Sequence, residues 1–434
     1  INSLLGSTQR ASQPKERHFI MAASAPETKR INEESKAVQG LIKGCSTVLD
    51  AFEQYEDNSM ESIFNAESDF LALPEYQRRL VNEEVVMKRF ARTKELVQRN
   101  GQFVDALLAW YHEQVKLLPK SKQRCGCGDH HHHSDDEEEE EEEVKEEGKK
   151  EEEEEGHSGC GCEKSHKRRT VLWEHREMIQ NIISQLWREW SADGATERAE
   201  CFQPLIDLVK QHVKPGSDIM VPGAGLCRLP WELASLGYKV KACECSHAML
   251  IPALYVLNNC CKPVVEGGGV KHTIFPFVHL TANIPRAESM TYLETVISDI
   301  TDPAPLTHLT VTDTDFVSEC KSSPREGSID ALVTSFFIDT AFNIIEYITA
   351  AGLAIRKGGL WINLGPLHWV HSPDQSIRLT MEEIEAAMEA AGLEFIFRQD
   401  LPYRHYCSAP GTFMPNVFNA HVWVAKLLSL IHIS

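Results

Sequence analysis

The sequence predicts an α/β protein built on a mostly parallel sheet with helices on both faces, preceded by a helical region. Three observations predict it. From about residue 171 short apolar strands alternate with amphipathic helices, a pattern that implies right-handed crossovers between parallel strands. The first of those strands runs into a glycine loop, Pro222-Gly-Ala-Gly225. Two late strands, 394–398 and 421–426, have no full helix between them and read as an antiparallel hairpin at one edge.

Four segments separate along the chain. Residues 1–30 are polar, lack the apolar core of a signal peptide and read as disordered. The first methionine is Met21, so what precedes it reads as upstream translation or a cloning remnant. Residues 31–118 read as helical: Val38, Leu41, Ile42, Cys45, Val48, Leu49 and Phe52 fall at helical spacing. Further periodic stretches cover 83–98 and 102–118, with a break at Pro74. Residues 119–168 form an acidic low-complexity insert, with Cys125-Gly-Cys127, four histidines, a glutamate tract and Cys160-Gly-Cys162. It has too little apolar surface to offset its ordering entropy, so it reads as a solvated linker. Cys-x-Cys is not the Cys-x-x-Cys spacing of zinc sites, and no metal is expected there.

Residues 169–427 form the α/β domain. A helix over 171–190 leads into a strand at 218–221, a helix at 229–236, a strand at 238–243 and a helix at 247–259. Strands at 330–337 and 359–364 flank a helix at 341–356, and a helix at 380–391 precedes the terminal hairpin.

Charge narrows the function. The 434 residues carry 44 basic and 64 acidic side chains, a formal charge of −20. Between Asp129 and Gly156 stand seventeen acids and three lysines, a local −14 that leaves only −6 for the rest. No basic face for a nucleic acid is present. No apolar run approaches the roughly 18–20 residues of a membrane span. Thirteen cysteines in no disulfide spacing, with an adjacent Cys260-Cys261, read as reduced thiols in a cytoplasmic or nuclear protein.

The chemistry-bearing residues cluster at strand ends. Gly223 and Gly225 allow a sharp turn and close ligand approach. A dinucleotide fingerprint needs a third glycine where Arg228 stands, so the loop suits a nucleoside cofactor without phosphates. Glu244, nineteen residues after Gly225 at the tip of the second strand, is placed to accept both ribose hydroxyls. Asp315 is placed to accept from an adenine amino group, with Asp313 as its neighbour. Asp339, directly after an apolar strand, is either a ligand-facing carboxylate, the N-cap of the following helix, or both.

Several longer strings resemble one family: Gly223-Ala-Gly-Leu with Arg228-Leu, Trp231-Glu, Leu236-Gly-Tyr238, Phe336-Phe-Ile-Asp-Thr-Ala341 and Gly359-Leu-Trp-Ile-Asn-Leu-Gly-Pro366. They are similar to the carnosine N-methyltransferase family, well over 171–427 and loosely over 35–118. The resemblance implies a Rossmann-like class I methyltransferase sheet. It implies S-adenosyl-L-methionine as cofactor, and methylation of the imidazole of carnosine, or a related histidine-containing dipeptide, to give anserine. The small dipeptide is then the partner, with no nucleic acid or membrane partner and a homodimer left open. By the same resemblance Gln185 and Arg188, on one face of their helix, join Gly223, Gly225, Glu244 and Asp315 as cofactor contacts. Asp339 is the substrate acid, His368 or His371 takes the leaving proton, and Tyr406 lines the substrate side.

Three positions depart from the family. Cys227 replaces a glycine, the family's histidine position falls on Val370 between His368 and His371, and a second aromatic falls at Phe418 or Asn419. A methyltransferase for another amine or a protein histidine, and a non-catalytic scaffold, are the competing readings.

Overall fold

The computed structural model describes residues 18–20, 46–117, 162–261, 269–286, 292–300, 306–322 and 327–428. Within the stretch read as disordered, His18–Ile20 form a three-residue strand, β1. Helices α1 (Ser46–Glu53), α2 (Tyr55–Leu71), α3 (Glu75–Leu80) and α4 (Glu83–Lys116) follow. Val38, Leu41, Ile42 and Cys45 lie outside the described residues. Pro74 sits at the N-cap of α3, where its missing N–H costs nothing. The two stretches expected on either side of residue 100 are one 34-residue helix, α4. Gly101 does not break it. A Cβ there would stand 2.7 Å from Glu56 Oε2, so the glycine serves a close approach of α2.

Helix α5 (Cys162–Trp190) begins ahead of the boundary expected at 168. The rest of the acidic insert lies outside the described residues, including its other cysteines. Ile179, Ile182, Ile183, Leu186 and Trp190 recur at helical spacing and are all buried. Helix α6 (Ala195–His212) follows, an element the sequence reading did not resolve.

The sheet is assembled from β1, β2 (Asp218–Pro222), β3 (Lys239–Glu244), β6 (Leu309–Asp313), β7 (Ile329–Ser335), β8 (Ile355–Gly365), β9 (Leu393–His405) and β10 (Val417–Leu427). Its order is β1-β6-β3-β2-β7-β8-β10-β9. The central pairings β6·β3, β3·β2, β2·β7 and β7·β8 are parallel, whereas β10 runs antiparallel to both β8 and β9. The terminal hairpin therefore forms the expected edge. A separate antiparallel pair, β4 (His272–Ile274) and β5 (Thr295–Ile297), packs against α4 and α5. The chain winds one way from β2 through β3 to β6, then the other way from β7 to β8. That reversal opens a crevice at the carboxyl ends of β2 and β7.

Helices α7 (Arg228–Ser235), α8 (His247–Tyr255), α9 (Phe316–Ser322), α10 (Ile344–Ala354) and α11 (Met381–Ala390) complete the layers. The stretch expected as one helix over 247–259 ends in a π-turn, Val256–Cys260. Helix α10 starts later than expected. Its N-cap is Asn343, whose side chain accepts from Ile345 N–H, so Asp339 is not the cap. Thr380 and Glu383 form a reciprocal capping box on α11.

A buried polar cluster ties β7 to β8 inside the sheet. Thr334 on β7 donates to Asn363 Oδ1 on β8 at 2.8 Å and accepts from Trp361 Nε1 at 2.9 Å. The helical region is joined to the α/β domain by a second buried network. Asn100 exchanges two hydrogen bonds with the Phe275 backbone, at 3.0 and 2.8 Å, and Tyr55 Oη lies 2.8 Å from His279 Nε2. Burial pushes His279 down to about 3, so its ring is neutral where it meets the phenol. Among the described residues no helix is long and apolar enough to cross a membrane.

Candidate active site

The strand ends expected to carry chemistry lie along the same carboxyl edge of the parallel sheet. β2 runs into the loop that holds Gly223 and Gly225, and β3 ends at Glu244. The two are tied together. Glu244 Oε2 accepts from Gly225 N–H and Oε1 from Ser246 N–H, each at 2.8 Å. Burial lifts the Glu244 carboxyl above its ordinary range, and those two N–H groups pull it back. A carboxylate has about four acceptor positions, so two bonds leave room for further donors.

The two glycines serve different needs. Both have positive φ, +58° at Gly223 and +54° at Gly225. A Cβ on Gly223 would fall 2.3 Å from the Phe337 ring, so its bare Cα accommodates that ring. A Cβ on Gly225 would meet only Glu189 Oε1, at 3.9 Å, and the space over it is open. Gly223→Ala is therefore expected to destabilise the fold more than Gly225→Ala. Both incur roughly 1–2 kcal/mol of left-handed strain, but only the former must also displace Phe337. Equal melting temperatures for the two variants would contradict this.

Arg188, near the end of α5, is 2% exposed and lies between the rings of Phe202 and Tyr406, at 4.8 and 4.6 Å. Its Nη1 is 3.3 Å from Glu189 Oε1 and its Nε 3.2 Å from Glu197 Oε1. Its Nη2 is buried without a hydrogen-bond partner. Gln185, one turn earlier, is half-buried. Asp315 is exposed, and its Oδ1 accepts from Ser318 N–H at 2.9 Å across the first turn of α9. Asp313 lies 3.2 Å from His247 Nε2. Beneath them Phe316, Phe337 and Tyr347 pack ring to ring, with Phe337 stacked on Tyr347 at 4.9 Å.

On the other side of the crevice, Asp339 occupies a short 3-10 turn, Ile338–Thr340, just beyond β7. It is 4% exposed, and its Oδ2 accepts from His368 N–H at 2.8 Å. Burial raises the Asp339 carboxyl above its ordinary range, against the lowering effect of that N–H. An aromatic cluster stands beside it: Phe336 lies 4.9 Å from Tyr406 and 5.8 Å from Phe418, and the His368 ring lies 5.6 Å from Phe418. Phe336 holds a positive φ of 50°. Such a conformation costs about 1–3 kcal/mol in a non-glycine residue and concentrates at functional sites.

The two histidines separate. His371 stacks on Phe342 at 3.6 Å, and its Nε2 lies 3.0 Å from Thr340 O. A carbonyl only accepts, so that nitrogen carries the proton. Only His368 joins the cluster with Tyr406. Phe418 joins it too, whereas Asn419 accepts from Tyr403 N–H elsewhere.

Sequence reasoning missed the supports of this arrangement. Glu197 on α6 accepts from Cys407 N–H at 2.5 Å and Ser408 N–H at 3.0 Å, beside Arg188. Glu200, one turn later, accepts from His405 N–H at 3.0 Å. Together they fix the segment that carries Tyr406. The Asp299 carboxylate receives Arg228 and Arg198, at 2.6 and 2.7 Å, and so locks the start of α7 to α6. Phe336 and Glu189 were also unassigned. The signal for Glu189 was a lone acid between two tryptophans in Trp187-Arg-Glu-Trp190.

The sheet order, closed at one edge by the β9–β10 hairpin, and a glycine loop answered by an acid on the next strand define the class I methyltransferase fold. The chain belongs to the carnosine N-methyltransferase family, whose model matches residues 165–429. Among its relatives, the carnosine N-methyltransferase of Rattus norvegicus is 34% identical over 233 residues, 50% of this chain and 55% of that one. That of Dictyostelium discoideum is 31% identical over 261 residues, 57% of this chain and 54% of that one. The Schizosaccharomyces pombe protein is 25% identical over 276 residues, 58% of this chain and 71% of that one. The chain thus spans about half the length of the first two.

Proposed function

We propose that this protein transfers a methyl group from S-adenosylmethionine to an imidazole nitrogen of carnosine or a related histidine-containing dipeptide. The observation that carries this reading is the pairing of a buried carboxylate, Asp339, with a cluster of aromatic rings in the crevice. A flat ring that becomes cationic on methylation suits such walls, because aromatic faces and a carboxylate both attract the developing charge. Family membership supports the same substrate.

The residues on the other side suit the cofactor. The open space over Gly225 admits a nucleoside, Glu244 has acceptor positions left for two ribose hydroxyls, and Asp315 stands near for the adenine amino group. The orphaned Nη2 of Arg188 is a buried cationic donor suited to the methionine carboxylate, with Gln185 beside it. When bound, the sulfonium supplies an already activated methyl group. The protein's task is then alignment and exclusion of water.

Asp339 has committed one oxygen to His368 N–H, which leaves the other to accept from the imidazole N–H. That bond fixes the tautomer, so the second ring nitrogen presents its lone pair to the methyl carbon. As the N–C bond forms and the C–S bond breaks, the N–H proton becomes acidic and passes from the product ring to Asp339 or His368. His368 is the better placed of the two histidines, since His371 has its Nε2–H bound to Thr340 O. Tyr406, whose phenol is raised by burial, serves as a neutral wall and hydrogen-bonding group.

Incubation with methyl-labelled S-adenosylmethionine and a panel of carnosine, free histidine, a histidine-containing protein peptide and a non-imidazole amine tests the reading. Label is expected on the imidazole of carnosine. Label on the amine or peptide alone would replace the substrate, and cofactor binding with no transfer to any of them would favour the scaffold.

A further inference from the structure

The end of α5 presents two buried, oppositely charged atoms that the protein itself leaves unanswered. Arg188 Nη2 and Glu189 Oε2 are both without a hydrogen-bond partner, on side chains 2% and 7% exposed. Their other atoms, Nη1 and Oε1, meet at 3.3 Å, so the two orphans flank one another across a contact already made. Buried groups of this kind are costly unless something pairs with them. Among the described residues Glu189 is also the only neighbour within 4 Å of a Cβ built on Gly225, and so borders the space over the glycine loop.

We infer that Glu189 receives the α-ammonium group of the cofactor's amino-acid end while Arg188 receives its carboxylate. An α-amino acid carries those two charges on one carbon, and adjacent orphans of opposite sign are its complement. This rests on the cofactor reading above and extends it to a residue outside it. Arg228 donates its Nη1–H to the Glu189 backbone oxygen at 3.0 Å and its own backbone N–H helps hold the Glu189 carboxylate ionised, while Oε2 keeps no hydrogen-bond partner among the described residues. Burial works to protonate Glu189, and the guanidinium of Arg188 works against it. An arriving ammonium adds to the second effect.

The test is calorimetric binding to the full chain, with three probes: S-adenosylhomocysteine, its analogue with a keto group in place of the α-amine, and 5′-methylthioadenosine. Glu189→Gln keeps the shape and removes the charge. It is expected to weaken S-adenosylhomocysteine about tenfold, the usual margin between a charged and a neutral hydrogen-bond partner. The keto analogue and 5′-methylthioadenosine should bind the variant as they bind the unsubstituted protein. Equal weakening of all three probes, or none, would overturn the assignment. If Glu189→Gln melts below the assay temperature, Glu189→Asp, which keeps the charge but withdraws it, must show the same discrimination between amine and keto probes. Failure of the unsubstituted protein to bind S-adenosylhomocysteine would instead remove the cofactor reading on which the inference stands.

Discussion

Asp339→Asn is expected to lower methyl transfer to carnosine by about 10²–10³, the usual worth of one preorganised electrostatic contact. Cofactor affinity should stay within a few-fold, since Asp339 lies beyond β7 and away from Gly225 and Glu244. The amide oxygen can still accept from His368 N–H, so the turn should persist. What disappears is the negative charge facing the ring. Stability should move the other way. Burial holds the Asp339 carboxyl above its ordinary range, so the folded state binds that proton more tightly than the unfolded chain does. The ionised side chain therefore costs stability at all pH values above the ordinary carboxylate range of about 4. At pH 7 the variant should melt at or above the unsubstituted protein, and the difference should shrink as pH falls toward that range. Full turnover in a folded Asp339→Asn protein would remove the residue from the reaction. A large fall in melting temperature would show that its charge stabilises the fold.

Glu244→Ala is expected to weaken S-adenosylhomocysteine about ten- to a hundredfold, from the roughly 1.5–3 kcal/mol of a charged hydrogen-bond partner. The structure adds a second effect. Gly225 and Ser246 each give their N–H to this carboxylate, so its loss strands two backbone donors and loosens the glycine loop. Melting temperature should therefore fall along with affinity, while the far-ultraviolet spectrum keeps its α/β shape. Calorimetry and thermal melting on the same sample distinguish the two effects. Affinity unchanged in a folded protein would take Glu244 out of the cofactor site.

The sheet was readable because each strand is a short apolar run bounded by turn chemistry, as in 218–222 before Gly223, and because the helices between them keep a 3.6-residue stripe. What escaped was set by contacts between distant residues. Gly101 looks like a helix break until Glu56 is seen packed against it. Helix α6 carries an internal Pro204, which in sequence reads as a stop. Asp339 stood as plausibly for a cap as for a ligand residue until Asn343 took the cap. The glycine loop and Glu244 follow from a fixed spacing on neighbouring strands, and the fold brings them to 2.8 Å. The substrate wall had no such rule. Tyr406 and Phe418, both carried by the terminal hairpin, meet Phe336 from positions 70 and 82 residues further along the chain.

The switch at β2 also divides the molecule's labour along its length. The groups suited to the cofactor arise between Gln185 and Asp315, and the walls of the other subsite between Phe336 and Phe418. The two halves meet along a seam where Arg188 lies under Tyr406, Glu197 grips both Arg188 and the Cys407–Ser408 backbone, Glu200 holds the His405 N–H, and Phe316 packs on Phe337. A lineage could therefore rewrite the second half to accept a different nucleophile and inherit the methyl donor machinery intact, provided that it kept this one seam.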